Sequence, residues 1–513
     1  MIPKPSRLAA SLAAVTALTT GCSGKEPPPA PPPEVCTGTT ALDVLPGTYP
    51  NALELSGTGA LEVAILGDAT LDARTVDPST AFLSDPDGSA PSVSAEATLR
   101  EEDVNGDGQV DAVLRFPLPT LVEQGVLHAE VSRLKLDAKT RSGTEMSGCN
   151  RAHASGHLLA RMPAPTGPYA VGTTTFDWVD PSRDETFTKA KKDKRELMVR
   201  VWYPASPSSR AQPAPYFLVR REGIATLQGG GFDIPPGLLD FVHAHAVAEA
   251  PLAAGERFPV ILFSPGAGYS PTFYTSLLEE LASHGYVVVA TSHTYTTGAV
   301  IFPDGRYAPN TEEPTGLFGT PYFDVLVEDL RFVLSQVRAL DAEDAQGRFT
   351  GRLDLERVGV FGHSIGGAAA TLVCQQDSSV RACSNLDGTF QGSWEKGITQ
   401  PFLLVHTQSN KDGTHRSFIK DRRGPVYEAS VSQAGHLTFS DMPLLQELMS
   451  TYDPKVTADA LDTGTLAPER AAALTRAWVL AFADESVKNS GESPLLQGGS
   501  GDYPEVTLTR HPH

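Results

Sequence analysis

From about Gly167 onward, short runs made only of apolar residues alternate with longer helical patterns, and this rhythm restricts the fold more than any other feature. The runs at 260–263 (V-I-L-F), 287–290 (V-V-V-A), 358–361 (V-G-V-F) and 402–405 (F-L-L-V) have no polar position. Strands of that kind are buried on both faces. Between them, 274–284 and 323–340 carry helical spacing, and a small-residue helix is expected over 365–373. Strand and helix in repeated alternation give an α/β fold, a mostly parallel sheet flanked by helices. The segment 195–203 (R-E-L-M-V-R-V-W-Y) alternates and reads as an edge strand of an antiparallel start. Residues 206–256, rich in Pro, Ala and Gly, read as an insertion or lid rather than sheet. The domain so defined covers 166–513.

The chain before it lacks the rhythm. Lys4 and Arg7 precede an apolar run at 8–18 and then Thr19-Thr20-Gly21-Cys22, which gives 1–22 the three parts of a secretory signal, too short to span a bilayer. Cys22 after a small residue resembles the lipobox of bacterial lipoproteins, where that cysteine carries the lipid anchor. Cleavage by an ordinary signal peptidase is the alternative. The protein is therefore expected outside the cytoplasm, anchored on the periplasmic or outer face of a bacterial envelope or else secreted. The proline-rich stretch 23–35 reads as an extended spacer. Residues 36–165 hold short alternating segments such as 61–66 (L-E-V-A-I-L) and 112–116 (A-V-L-R-F), which make a small β-rich domain.

Export puts Cys36, Cys149, Cys374 and Cys383 in an oxidising compartment, and four cysteines admit three pairings. Cys374 with Cys383 is the neighbourly pair, and Cys36 with Cys149 would tie the two ends of the β-rich domain. Buried free thiols are the alternative. A net charge of −20 leaves nothing to neutralise phosphates and argues against a nucleic-acid partner.

Gly362-His-Ser-Ile-Gly366 falls at the junction of the 358–361 strand and the 365–373 helix. A G-x-S-x-G at such a turn holds its serine strained and exposed, and its glycines are needed because side chains there would clash. Ser364 is the candidate nucleophile; an idle serine in a glycine-rich turn is the alternative. A serine hydroxyl needs a base, and the base needs an acid to orient it. In this fold the acid and then the histidine follow the serine, each at a later strand end. Asp387, in Ser384-Asn-Leu-Asp-Gly388, closes a strand-like segment and is the candidate acid, with Asp412 as fallback. His436, in a glycine-containing loop after the strand-like 426–431, is the candidate base. His406 and His415 are its rivals, and His363 is read as packing or orienting the turn. The oxyanion needs two backbone N–H donors. Ile365, next after the serine, and Ala267, in the loop Ser264-Pro-Gly-Ala-Gly268, are the candidates. Acyl transfer on such a site needs no metal or organic cofactor.

Gly167-Pro-Tyr-Ala-Val-Gly172, Val201-Trp-Tyr-Pro204, Phe263-Ser-Pro-Gly-Ala-Gly268, Leu281-Ala-Ser-His-Gly-Tyr286, Phe302-Pro-Asp-Gly305, Gly362-His-Ser-Ile-Gly-Gly367, Asn385-Leu-Asp-Gly388 and Gly435-His436 together resemble the secreted platelet-activating factor acetylhydrolases and their bacterial α/β-hydrolase relatives. The resemblance covers most of the chain after Gly167. It implies an α/β-hydrolase fold in which Ser364, Asp387 and His436 stand where the family has its triad. The family's second oxyanion donor lies in an S-H-G-L-G loop, so Pro265 and Ala267 replace its His and Leu. Hydrolysis of short or oxidised acyl esters of phospholipids is the implied activity, with an ester or lipid substrate and a membrane reached through the anchor. A lipase, polyester hydrolase or peptidase would use the same residues, and a surface binding lipoprotein with an inactive domain is the non-enzymatic alternative. Selectivity is expected from 206–256 and from the loop 291–317. Phe217, Leu218, Phe232, Leu238, Leu239 and Phe241 either line an acyl site or membrane-facing lid, or pack on the core.

A second motif lies in the β-rich domain. Asp103-Val-Asn105-Gly-Asp107-Gly-Gln109-Val-Asp111 sets oxygen-bearing residues at alternate positions with a glycine for the turn, as a hard cation such as Ca2+ requires of one loop. Leu114 stands where an EF-hand has its glutamate, and the loop resembles calcium repeats of dockerin-type and other extracellular bacterial modules. A structural Ca2+ is the expectation and a solvated acidic turn the alternative.

Overall fold

The computed structural model describes residues 40–512 apart from 47–51, 69, 87–89, 106–107, 129–130, 155–159, 191, 208–210, 212, 219–225, 228–230, 233–241, 256, 312–321, 392–395, 411–412, 451–452 and 454. The signal, Cys22, the spacer and Cys36 lie outside the described residues, as do Asp107, Leu238, Leu239, Phe241 and Asp412. The chain forms two compact units, which divide at Leu159 and Ala160 rather than at 165. The reason is local: Ala160–Arg161 pairs in parallel with Val242–His243 of the larger unit.

The smaller unit has two sheets around one core. Leu42–Val44, Ala60–Ile65, Asp111–Pro117 and Arg100–Glu102 form one sheet, all antiparallel. Ala52–Leu53, Glu145–Ala154, Val131–Thr140, Val76–Ser84 and Val93–Ser94 form the other. Leu61, Val63, Leu114 and Phe116 of the first sheet bury in one cluster with Leu83, Leu134 and Leu136 of the second. That is the outcome of alternation, one face in and one face out. Cys149 is disulfide-bonded.

The larger unit is built on a ten-stranded sheet. In chain order its strands are β1 (Ala170–Asp184), β2 (Lys194–Ala205), β3 (Val247–Ala248), β4 (Phe258–Ser264), β5 (Val287–Ser292), β6 (Leu353–His363), β7 (Val380–Leu386), β8 (Phe402–Thr407), β9 (Val426–Val431) and β10 (Val506–His511). In space they run β3-β1-β2-β5-β4-β6-β7-β8-β9-β10. The six from β5 to β9 are mutually parallel, and the four apolar runs lie in β4, β5, β6 and β8. β4 and β5 are buried at every position, so they read as unbroken apolar runs.

Two sequence expectations change here. The 195–203 strand is antiparallel but not an edge, because β2 pairs with both β1 and β5; its alternation comes from charged side chains used inside the molecule, Arg195 and Arg200, both buried. The 206–256 segment is not free of sheet either. Val247–Ala248 adds a short outer strand beside β1, and Ala205 forms a bridge with Leu252.

Helices α1 (Thr275–Ser283), α2 (Tyr322–Ala342), α3 (Ile365–Gln376), α4 (Gly413–Asp421), α5 (Met442–Ser450) and α6 (Pro468–Ala483) link or follow the strands. In α2, Phe323, Leu326, Leu330, Val333, Leu334, Val337 and Leu340 bury one stripe at three- and four-residue spacing. Cys374 of α3 and Cys383 of β7 form a disulfide, as the neighbourly pairing expects. Among the described residues no helix is long and apolar enough to cross a membrane.

The chain leaves β4 toward β5 on one side and returns as β6 on the other. The loops after β4 and β6 therefore part at the carboxyl ends of adjacent parallel strands, where open α/β sheets form their binding crevices.

Candidate active site

Ser364 alone makes the turn between β6 and α3, with φ 56° and ψ −130°. A positive φ costs a residue with a Cβ roughly 1–3 kcal/mol and persists only where the surroundings impose it. They do so here: Ser364 N donates to Leu386 O of β7 (2.8 Å), and Ser364 O accepts from Ala368 N (3.1 Å). The flanking glycines are required by space. A Cβ at Gly362 would stand 2.4 Å from Gly366 O, and one at Gly366 would stand 2.3 Å from the carbonyl oxygens of Ser264 and Pro265. The motif thus lets the β6 turn touch the β4 loop.

Ser364 Oγ is 2.9 Å from His436 Nε2, and His436 Nδ1 is 2.7 Å from Asp387 Oδ2. The serine and the histidine are partly exposed, whereas Asp387 is buried. His436 begins a short 3-10 turn, His436–Phe439, five residues beyond the end of β9. Asp387 follows β7 directly and also has positive φ. Its turn is fixed by Asn385, whose side chain donates to Gly388 O (3.0 Å) and accepts from Gly388 N (2.8 Å). The other Asp387 oxygen accepts from Thr407 N and Asn410 Nδ2, both at 3.0 Å. Burial works against charge on Asp387, but the bonds from His436, Asn410 and Thr407 prevail and hold the carboxyl below its usual range. An ionised Asp387 accepts a hydrogen bond from His436 Nδ1–H, which keeps the proton on Nδ1 and leaves Nε2 free to accept from the serine.

The rivals do not reach the serine. His406, in β8, bonds through Nδ1 to Thr407 O (3.0 Å) and through Nε2 to Glu428 (3.2 Å). His415, on α4, lies 3.2 Å from Gly388 O.

Ile365 is the first residue of α3, whose leading N–H groups have no partner within the helix. In the β4 loop, Gly266 N donates to Tyr274 Oη (3.0 Å) and Gly268 N to Thr296 O (3.0 Å). Ala267 N, between them, has no intrachain acceptor among the described residues. A Cβ placed on Gly266 would lie 3.3 Å from Ser364 Cβ, so this backbone runs close beside the serine. The lining candidate Phe217 is buried and packs edge-on against Tyr216 and Phe273, which is a core role.

Several groups that support this site carry no local signal in the sequence. Tyr274 holds the β4 loop through Gly266. Ser264 Oγ meets His293 Nε2 (2.9 Å), and His293 Nδ1 meets Asp329 (3.0 Å), which is paired with Arg195 and Arg183. The one available cue was position: His293 follows β5 at the same end of the sheet.

Fold and geometry describe an α/β-hydrolase with a serine at the strand-to-helix turn, and comparison with known proteins agrees. The family model "Platelet-activating factor acetylhydrolase, isoform II" matches residues 154–313, and the model "Alpha/beta hydrolase family" matches 261–506. A probable 1-alkyl-2-acetylglycerophosphocholine esterase of Arthroderma benhamiae is 26% identical over 393 residues, 68% of this chain and 93% of that protein. The platelet-activating factor acetylhydrolase of Cavia porcellus is 24% identical, with 60% of this chain and 76% of that protein aligned. Among solved structures, a ferulic acid esterase from Streptomyces cinnamoneus aligns with a TM-score of 0.59 and 35% identity, over 68% of this chain and 99% of its own. The chain belongs to the α/β-hydrolase family, among the platelet-activating factor acetylhydrolase-like esterases. It is a serine hydrolase of carboxylic esters.

Proposed function

We propose that Ser364, His436 and Asp387 carry out this hydrolysis through an acyl-enzyme. The observation that carries the reading is the unbroken hydrogen-bond order Ser364–His436–Asp387, set at a positive-φ serine. Ser364 Oγ attacks the ester carbonyl while His436 Nε2 takes its proton and then delivers it to the leaving alcohol. Asp387 keeps the proton on Nδ1 and stabilises the imidazolium. The N–H groups of Ala267 and Ile365 receive the oxyanion. Water then repeats the sequence and frees the acid. All the groups this chemistry needs are side chains and backbone of the chain itself.

The substrate we infer is a short or oxidised acyl ester of a phospholipid, in keeping with the two relatives named for acetylglycerophosphocholine and platelet-activating factor hydrolysis. The ferulic acid esterase favours a second reading, an ester of an aromatic acid. Rates on an alkyl-acetyl-glycerophosphocholine, p-nitrophenyl acetate, p-nitrophenyl palmitate and methyl ferulate separate them. Preference for the acetyl phospholipid is expected; a higher kcat/KM on methyl ferulate would transfer the assignment. If wild type and Ser364→Ala were equally inert on all four, the catalytic reading would be lost.

The remaining parts of the reading concern place and metal. Cys22 is the lipid attachment point and holds the enzyme at an envelope membrane outside the cytoplasm. Cys22→Ala should release it into the soluble fraction, and an unchanged distribution would refute the anchor. The loop from Asp103 to Asp111 holds a structural Ca2+ through Asp103, Asn105, Asp107, Gln109 and Asp111. In favour of the fit, Asp111 is fully buried, one oxygen accepting from Val104 N of the loop and the other from Gly67 N, at 2.8 Å each, and each retains a lone pair. Asp103 accepts from Gly108 N (3.1 Å). Chelation should lower the melting temperature without changing the kcat of enzyme that remains folded; no bound calcium and no shift would remove it.

A further inference from the structure

The hydrogen bond that occupies Gly266 N belongs to a chain leading to the opposite side of the site. Tyr274 Oη, which accepts from Gly266 N, lies 2.9 Å from His363 Nδ1. His363 Nε2 lies 2.9 Å from His436 O. The direction of every bond follows from the ends. A carbonyl only accepts, so His363 carries its proton on Nε2 and gives it to His436 O. Nδ1 of the neutral ring then holds a lone pair, which accepts a hydrogen bond from the Tyr274 hydroxyl, and the phenol oxygen is left to accept from Gly266 N. Burial, then the nearby His436 ring, push the His363 pKa down to about 3, so the ring stays neutral in ordinary buffers. Burial also keeps the Tyr274 hydroxyl protonated.

We propose that Tyr274 and His363 are positioning residues for the ester hydrolysis. Through them the oxyanion loop and the His436 loop are set at a fixed separation on either side of Ser364. The inference rests on the roles given above to Ser364, His436 and Ala267. Its physical basis is that a backbone donor stabilises an oxyanion only when aimed at the point where charge develops, and misplacement by about 1 Å is costly. With the N–H groups on both sides of Ala267 pinned, the Ala267 N–H is the one left to point at substrate.

The test is Tyr274→Phe, assayed on p-nitrophenyl acetate and with a trifluoromethyl ketone as transition-state analogue. The kcat should fall about tenfold with KM nearly unchanged, and affinity for the analogue should fall in proportion. Tyr203→Phe is the control: it removes another buried hydroxyl, one bonded to Ala250 O (2.7 Å) in the sheet core, and should leave kcat alone. His363→Ala should resemble Tyr274→Phe, and the double variant should lose little more, because both break one chain. A Tyr274→Phe enzyme with wild-type kcat, an equal loss in Tyr203→Phe, or additive losses would overturn the proposal. Ser364→Ala in the same assay keeps the two readings apart. An active Ser364→Ala would sink the site itself, whereas an inert one beside a normal Tyr274→Phe sinks only the positioning role.

Discussion

Ser264 ends one strand and Ser364 follows the parallel strand beside it, and each hydroxyl lies 2.9 Å from an imidazole Nε2 whose Nδ1 faces a buried aspartate. The two chains, Ser264–His293–Asp329 and Ser364–His436–Asp387, thus have the same donors and acceptors in the same order. They differ in three respects. Ser264, His293 and Asp329 are all buried, whereas Ser364 and His436 reach the surface. Ser264 ends an extended strand, while Ser364 is held at positive φ on a turn. Asp329 is gripped by Arg195 (3.0 and 2.6 Å) and by Arg183 (2.9 Å), whereas Asp387 accepts from a backbone amide and an asparagine.

The last difference separates their chemistry. Burial opposes charge on Asp329, but Arg195 and His293 overcome it and hold the carboxyl well below its usual range. Its charge is already compensated, and burial keeps His293 on the neutral side of its ordinary value. The chain at Ser264 is a strut under the β4 loop. The chain at Ser364 has a carboxylate with no cationic arginine on it among the described residues, as the proposed stabilisation of an imidazolium requires. Serine, histidine and aspartate in hydrogen-bond order do not suffice for a nucleophile; access, backbone strain and uncommitted charge complete it.

The comparison breaks most sharply at the serines. Ser364→Ala should lower kcat on the order of a million-fold with stability nearly unchanged, while Ser264→Ala should lower it less than about tenfold. Equal losses would make the struts and the site one system. At the acids, Asp387→Asn should reduce kcat about 10⁴-fold in a protein that still melts cooperatively. Asp329→Asn should instead cost about 3–5 kcal/mol in urea unfolding, because it removes the buried charge that Arg195 and Arg183 share and leaves Arg195 with Glu185 alone.

A smaller effect is expected from pH. With its folded pKa near 3 and the ordinary imidazole value at 6.5, His363 binds a proton in the unfolded chain that the native one refuses. Its share of stability is full above about pH 6.5 and is lost as pH falls toward 3. His293 is shifted in the same direction. Melting temperature should therefore fall through this window, less steeply in His293→Gln; an identical slope would remove His293 from the balance. The smallest effect is expected at Cys374–Cys383, which links the nucleophile helix to the strand before Asp387. Replacing both by Ala should cost about 2–3 kcal/mol by unfolded-state entropy and leave kcat at 25 °C unchanged.

The Ser364–His436–Asp387 chain was legible in the sequence and the Ser264–His293–Asp329 chain was not, for a physical reason. Ser364, Asp387 and His436 each sit just beyond a strand or strand-like segment, so the topology of a parallel sheet brings them to one edge whatever the side chains around them do. The glycines at 266 and 268 likewise marked a loop built for close backbone approach. Tyr274 and His363, 89 residues apart, and His293 and Asp329, 36 apart, meet only through packing. No local pattern encodes such a meeting. Arg195 shows the converse error: its charge gave β2 the look of an edge strand, although its partners Asp329 and Glu185 lie inside.

Local pattern set the strand and helix succession, the strained serine turn and the order of the three candidate groups, because periodicity and glycine placement act over a few residues. Tertiary structure alone decided which N–H of the β4 loop stays unpaired, which of two identical hydrogen-bond orders is open to substrate, and which aspartate keeps its charge uncommitted. Those outcomes depend on burial and on partners far away in the chain, and only the closed fold supplies both.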